Sequence, residues 1–356
     1  MDIYIRADSS ELIGIGHIMR TLTLSDSLKA LGFKIVYICT NAVGNINDLI
    51  VRRGYDVSII ENSCIKNNGK RSMPISDECI LKDANETIDC IKEKCNWLIV
   101  DHYYIDYRWH SIVRKSTDRI MVIDDLANRK LDCDLLLDQT YGRKVIHYSS
   151  LVNHNCKLLL GSKYALIRPQ FLSVRDGSIK RRLNNNIIRN ILISVGGIDI
   201  NNVSLALLNT IYKIYKGNGE IVINVVLTGK SPNIDLIKKF IENSSLNMTL
   251  FIDVEDMENL MAEADVSIGG GGTTSWERCV VALPSIVVVQ ADNQKFLSGQ
   301  LEAKGAIIIL KKIDDLPKVI QSIEKNSFLS RMSYLASLIC DGFGSTRVSK
   351  SINYLC

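Results

Sequence analysis

Short runs of apolar and β-branched residues recur along the chain and alternate with longer stretches whose apolar positions fall at helical spacing. Runs at Ile3–Arg6, Lys34–Cys39, Val57–Ile60, Trp97–Val100, Ile120–Ile123 and Leu135–Leu137 predict six strands, and stretches such as Arg20–Leu31 and Glu78–Lys94 predict helices between them. A second set of strands follows at Asn190–Ser194, Ile221–Leu227, Thr249–Ile252, Val266–Ile268, Ser285–Val289 and Ala306–Leu310. Near-continuous apolar strands separated by helices suit a parallel sheet covered on both faces, because such strands are buried on both sides. The pattern therefore predicts an α/β chain of two Rossmann-like, doubly wound parallel-sheet domains. Ligands of such sheets bind beyond the carboxyl ends of the strands, so the two domains are expected to face one another across one cleft. Ser173–Asn186, reading SVRDGSIKRRLNNN, is polar and lacks apolar periodicity, and is expected to be the linker or an exposed hinge. The expected domains are 1–183 and 184–356, with the last helix able to return to the first.

Composition agrees with this picture and removes several function classes. At roughly 150 residues per domain, 356 residues make two domains, each large enough for its own core. A hydrophobic fraction of 46% is too high for a disordered chain. Lys plus Arg (43) exceeds Asp plus Glu (39) by only four, and the one basic run is Lys180-Arg181-Arg182, so no nucleic-acid partner is expected. The longest apolar run, Val280–Val289, is broken by Pro284 and Ser285 and falls short of the roughly 20 residues that span a bilayer. The strand-like Met1–Arg6 lacks the features of a signal peptide, so a cytoplasmic protein is expected, as a monomer and without membrane association. The ten cysteines contain no Cys-x-x-Cys pair and are expected to be reduced thiols.

The candidate chemistry lies in the segments that follow strands. The first strand runs into Arg6-Ala7-Asp8-Ser9-Ser10 and then Gly14-Ile15-Gly16-His17, where a helix begins. A glycine turn opening a helix lets a ligand approach the backbone and meet outward-pointing amides. Position 19 is Met19 rather than a third glycine, so this is not a dinucleotide fingerprint and no NAD is expected. His17 would sit in the first helical turn, where the positive end of the helix dipole favours an uncharged ring able to act as a base. The alternative is a helix-capping or phosphate-donating His17. Asp8 could orient His17 or a water, or simply bond turn amides. In the second half, Gly269-Gly270-Gly271-Gly272-Thr273-Thr274 forms a nest of donors suited to a diphosphate, without the Gly-Lys-Ser/Thr ending of a nucleotide-hydrolysing P-loop. Glu277 has two readings, a ribose contact or half of a Thr274–Glu277 capping box. Gly196-Gly197 and Asn293-Gln294 follow neighbouring strands and could reach the same ligand. Asp101-His102-Tyr103-Tyr104 and Asp124-Asp125 contain suitable metal ligands, but strand-end aspartates commonly serve turn amides, and no metal is assigned.

Taken in order, RADSSELIGIGHIMR at 6–20, VDHY at 100–103, IDDLANR at 123–129, GSKYALIRPQF at 161–171, SVGGID at 194–199, GGGGTTSWERC at 269–279 and ADNQ at 291–294 resemble the UDP-sugar hydrolases of pseudaminic acid biosynthesis over nearly the whole chain. The resemblance implies a fold like that of the two-Rossmann-domain (GT-B) glycosyltransferases, with UDP held by the C-terminal domain and no cofactor. It implies a UDP-2,4-diacetamido-2,4,6-trideoxy-β-L-altropyranose substrate. Residue by residue, it implies His17 as catalytic base, Tyr103 as an active-site tyrosine, Glu277 as the ribose-binding acid and Asn293 as a group near the diphosphate or sugar. Arg6, Gly14, Gly16, Gly196, Gly197, Gly270, Gly271, Gly272, Thr273, Thr274 and Gln294 complete the expected substrate contacts, with Asp8 supporting His17.

The chemistry needs one base. UDP cradled by amides leaves without being protonated, so water activated by His17 is sufficient for attack at the anomeric carbon with inversion. Three alternatives keep the same pocket: a GT-B glycosyltransferase using a hydroxyl acceptor, a hydrolysing epimerase, and a nucleotide-sugar binding protein without turnover.

Overall fold

Strand β1 (Asp2–Ala7) shows how the first sheet is built. Ile3, Ile5 and Ala7 pack into one core and Tyr4 into another on the opposite face, the period-two alternation of a strand buried on both sides. The same alternation holds in β4 (Cys95–Asp101), where Trp97 and Ile99 join the first core while Leu98 and Val100 join the second. With β2 (Lys34–Thr40), β3 (Asp56–Ile60), β5 (Thr117–Ile123), β6 (Leu135–Asp138) and β7 (Lys157–Leu160), these form a sheet ordered β3-β2-β1-β4-β5-β6-β7, parallel throughout. Strand β7 was not expected; its apolar stretch is only Leu158–Leu160 and stops at Gly161, too short to register as a periodic run.

The computed structural model describes all residues except 62–74, 184, 197 and 326. The described chain divides into two units, Met1–Leu166 with Phe343–Cys356, and Ile167–Gly342. The second contains β8 (Asn190–Ser194), β9 (Val222–Leu227), β10 (Asn247–Ile252), β11 (Val266–Gly270), β12 (Ser285–Val288) and β13 (Ile307–Ile309), ordered β10-β9-β8-β11-β12-β13 and again all parallel. Each sheet has the doubly wound order, with the chain direction across the sheet reversing between β1 and β4 and between β8 and β11.

The C-terminal helix Gly344–Tyr354 belongs to the first unit. Its Val348 and Ile352 are fully buried in the core shared by Ile18 and Leu22 of the helix Gly16–Lys29, so the chain end buttresses the helix that carries His17.

The expected linker is different from the sequence reading. Residues Gln170–Arg182 form a helix packed within the second unit, and the expected boundary residue Asn184 lies outside the described residues. Arg182, only 2% exposed, donates to the carbonyls of Met261 (2.6 Å), Ala264 (2.6 Å) and Val281 (2.5 Å), and Arg181 bonds Asp265 at 2.7 Å. Met261 and Ala264 end the helix Met257–Glu263, whose last carbonyls lack intrahelical partners; the basic residues satisfy them. Cys79 is disulfide-bonded, contrary to the expectation of reduced thiols throughout, and Cys64 lies outside the described residues. No helix among the described residues is long and apolar enough to cross a membrane.

Candidate functional site

In the first unit the chain leaves β1 through a tight turn. Ser10 Oγ accepts from the amides of Leu12 and Ile13 at 3.2 Å, and the amide of Gly14 donates to Ser10 O at 2.8 Å. Gly14 has φ +78°, a conformation that explains glycine there, and the helix starts two residues later at Gly16. His17 thus stands in the first helical turn beside the carboxyl end of β4, which ends in Asp101. His17 Nδ1 lies 2.6 Å from Asp101 Oδ1. Arg20, one helical turn on, grips the same carboxylate with Nε on Oδ2 at 2.6 Å and Nη2 on Oδ1 at 2.5 Å. Its third nitrogen, Nη1, reaches Asp125 Oδ2 at 3.0 Å, where Tyr103 Oη also donates at 3.0 Å. The Tyr103 ring meets the His17 ring edge-on at 4.5 Å. Asp101 has no exposed surface and His17 5%. Burial alone would push the Asp101 carboxyl up, but Arg20 and His17 outweigh it and hold the group well below the usual carboxylate range.

Asp8, expected either to orient His17 or a water or to bond turn amides, accepts a backbone amide, and the carboxylate beside His17 is that of Asp101. Asp8 Oδ1 receives the Thr40 amide at 2.7 Å and pairs with Arg6 at 2.8 Å, while its Oδ2 faces His102 Nε2 at 3.3 Å. Arg6, expected to contact substrate, has no exposed surface and pairs with Asp8 and Asp83, whose carboxylate also takes the indole N–H of Trp109. It is an internal ion pair holding the end of β1, not a group open to ligand. Asp124 and Asp125 part company. Asp125 joins Arg20 and Tyr103, whereas Asp124 accepts from Arg129 (2.7 Å) and Tyr148 (2.7 Å) on the other face. Among the described residues no group of three or more His, Cys, Asp or Glu is disposed to hold a metal ion. Arg20 is the member that sequence reading missed; its signal was the three-residue spacing from His17, which puts both on one helical face.

In the second unit the glycine run divides in two. A Cβ on Gly269 would lie 1.9 Å from Ser194 O and one on Gly270 2.5 Å from Val195 O, so these two glycines serve the packing of β11 against the chain leaving β8. Gly270, expected to touch the diphosphate, is buried and its carbonyl accepts from Arg278 Nη2 at 2.5 Å. Gly271, Gly272, Thr273 and Thr274 lead into the helix Thr274–Val280, whose first backbone hydrogen bonds are made by the amides of Ser275 and Trp276. Nothing lies nearer than 3.9 Å to a Cβ on Gly272, and Thr273 is exposed. Gln294 crosses the start of this segment, its Oε1 accepting from the amides of Gly271 (3.3 Å) and Gln290 (3.0 Å). Asn293 is half-buried in the first turn of the helix Asp292–Lys304. Gly196 is exposed with φ +123°, and Gly197 lies outside the described residues. The N-cap of this helix is Thr273, which makes no side-chain cap bond, and Thr274 is already its first helical residue, so Thr274 does not hold the N-cap position that a Thr274–Glu277 capping box requires. Glu277 Oε1 instead pairs with Arg168 Nη2 at 3.2 Å; burial raises the Glu277 carboxyl and Arg168 draws it partly back.

Residues 198–335 match the glycosyltransferase family 28 C-terminal domain. The chain is 28% identical to the UDP-2,4-diacetamido-2,4,6-trideoxy-β-L-altropyranose hydrolase of Campylobacter jejuni, over 86% of this chain and 97% of that one. The chain resembles that hydrolase. Its fold is that of the GT-B glycosyltransferases: a crystal structure of MurG from Acinetobacter baumannii superposes with a TM-score of 0.69 at 16% identity, covering 99% of each chain. A UDP-GlcNAc 2-epimerase from Neisseria meningitidis, solved with UDP-GlcNAc, gives a TM-score of 0.66 at 11% identity, covering 99% of this chain and 100% of that one.

Proposed function

We propose that the protein hydrolyses a UDP-sugar, releasing UDP and the free sugar by attack of water at the anomeric carbon with inversion. The likeness to the Campylobacter hydrolase supports UDP-2,4-diacetamido-2,4,6-trideoxy-β-L-altropyranose as the substrate, with a role in pseudaminic acid biosynthesis in the cytoplasm. The observation that carries the reading is His17, an imidazole at the point where the strand order of the first sheet reverses, with Nδ1 occupied by Asp101.

In this reading His17 Nε2 takes the proton of the attacking water, and the Tyr103 ring limits the swing of the imidazole. Amides of Gly272, Thr273 and Thr274 receive the developing negative charge of the leaving diphosphate, so no metal ion is required to neutralise it. Glu277, steadied by Arg168, accepts from the ribose hydroxyls, and Asn293 lies near the diphosphate or sugar. Asp8 and Arg6 contribute by holding the end of β1 in shape.

Hydrolysis in ¹⁸O-labelled water tests the reaction, with products followed by mass spectrometry. Label in the sugar is expected, together with inverted configuration; label in UDP would mean attack at phosphorus and overturn the mechanism. The match of residues 198–335 to a glycosyltransferase domain keeps transfer to a hydroxyl acceptor as the second reading, and that reading predicts little free sugar when the UDP-sugar is supplied alone.

A further inference from the structure

We infer that Asp101 is a positioning residue that, with Arg20, fixes His17 in the tautomer carrying hydrogen on Nδ1 and leaves Nε2 as the only basic nitrogen. The inference rests on the reading of His17 as the base, and it follows from counting donors and acceptors. The two oxygens of Asp101 are met by three nitrogens: Arg20 Nε on Oδ2, and Arg20 Nη2 and His17 Nδ1 on Oδ1. A guanidinium only donates, and an ionised carboxylate only accepts. Arg20 holds Asp101 ionised despite complete burial. The short 2.6 Å contact between Asp101 and His17 therefore needs its hydrogen from Nδ1. Arg20 Nη2 also lies 3.3 Å from Nδ1, but two donors face each other there, so that approach is a consequence of sharing one carboxylate and not a bond.

Arg20 has a second duty in this arrangement. A carboxylate paired with imidazole alone could be protonated or swing away. Here the planar fork of Arg20 pins it in the plane of its two oxygens, and the remaining nitrogen ties the cluster to Asp125, which in turn holds the Tyr103 hydroxyl. Tyr103 packs edge-on against the imidazole, which limits rotation of the ring. The base is thus set by two elements: the helix that supplies His17 and Arg20, and the strand end that supplies Asp101.

The test is the tautomer itself, read from long-range proton–nitrogen spectra of the ¹⁵N-labelled full-length protein, with the His17 signals assigned by their loss in His17→Gln. The expected neutral form has hydrogen on Nδ1. A neutral ring with hydrogen on Nε2 would overturn the inference whatever the activity of any variant. Asp101→Asn supplies the kinetic arm. Its one remaining acceptor is claimed by Arg20, so the amide NH₂ turns to His17 and selects the wrong tautomer. The expected result is a kcat loss of about a hundredfold or more with KM and UDP affinity little changed. A folded Asp101→Asn enzyme with wild-type kcat, beside an inactive His17→Gln, would refute the positioning role alone. An active His17→Gln would refute the base assignment, and the wild-type spectrum would still decide the tautomer. Should Asp101→Asn fail to fold, that spectrum decides by itself.

Discussion

Replacing His17 with alanine separates the base from everything else at the site. The imidazole makes one hydrogen bond, to Asp101, and one ring contact, to Tyr103. Losing them costs about 1.5–3 kcal/mol for the bond to the ionised carboxylate and about 0.5–1.5 kcal/mol for the ring pair. Asp101 keeps both Arg20 contacts, so no buried charge is stranded, and alanine suits the first turn of the helix Gly16–Lys29. The fold should therefore survive with a loss of about 2–4.5 kcal/mol. The rate should not. A general base contributes about 10²- to 10⁴-fold, which at about 1.4 kcal/mol per tenfold is roughly 3–6 kcal/mol of barrier. Continuous detection of released UDP would give kcat, and calorimetric titration with UDP would give its affinity, which should be unchanged because the nest belongs to the second unit. Turnover within tenfold of wild type in a protein that binds UDP normally would refute the reasoning. A parallel collapse of UDP affinity would refute it in another way, since His17 would then be a binding group.

Two further outcomes are expected. Glu277→Gln keeps the shape but removes the charge proposed to accept from ribose, and should weaken UDP binding by about 10- to 100-fold, matching the roughly 1.5–3 kcal/mol of a hydrogen bond to a charged group, with kcat at saturation little affected; unchanged UDP affinity by calorimetry would dismiss the ribose role. Asp138 gives a pH signature. Burial raises its carboxyl to about 6, partly offset by Arg143, and Tyr148 Oη lies 2.8 Å from Asp138 Oδ2 and 2.7 Å from Asp124 Oδ2 with one proton for the two contacts. Because the folded value is raised, its contribution is full below about pH 4 and lost as pH rises through about 6, a change of roughly 3 kcal/mol. The difference in denaturation free energy between wild type and Asp138→Asn cancels the other titrating groups and should show that slope; a difference independent of pH would refute it.

The two sheets were legible because strands buried on both faces leave unbroken apolar runs, and the glycine turns were legible because few residues other than glycine take φ values such as that of Gly14. The helix Gln170–Arg182 was hidden because its arginines look solvated in sequence while bonding carbonyls in space. The partner of His17 was misread for a reason that the strands themselves explain. Ala7 faces the core that holds Ile18 and Leu22, so Asp8, one residue on, turns to the opposite face, toward Arg6 and His102. In β4, Trp97 and Ile99 face the His17 side, and the period of two carries Asp101 there while sending His102 to join Asp8. In β5, Met121 and Ile123 have the same parity as Asp125, which meets Arg20, whereas Ile120 and Val122 share that of Asp124, which meets Tyr148. Parity alone thus sorts the strand-end carboxylates by face, using only what the sequence contains. It could not choose among those on the right face. That choice needs the pairing of β1 directly with β4, with Ala7 opposite Asp101, across more than ninety residues of intervening chain. Contacts of that range are fixed by the order of strands in the sheet, and a doubly wound order puts first and fourth strands together only where the sheet reverses direction. The residue that orients the base therefore becomes identifiable at the moment the strand order is known, and not before.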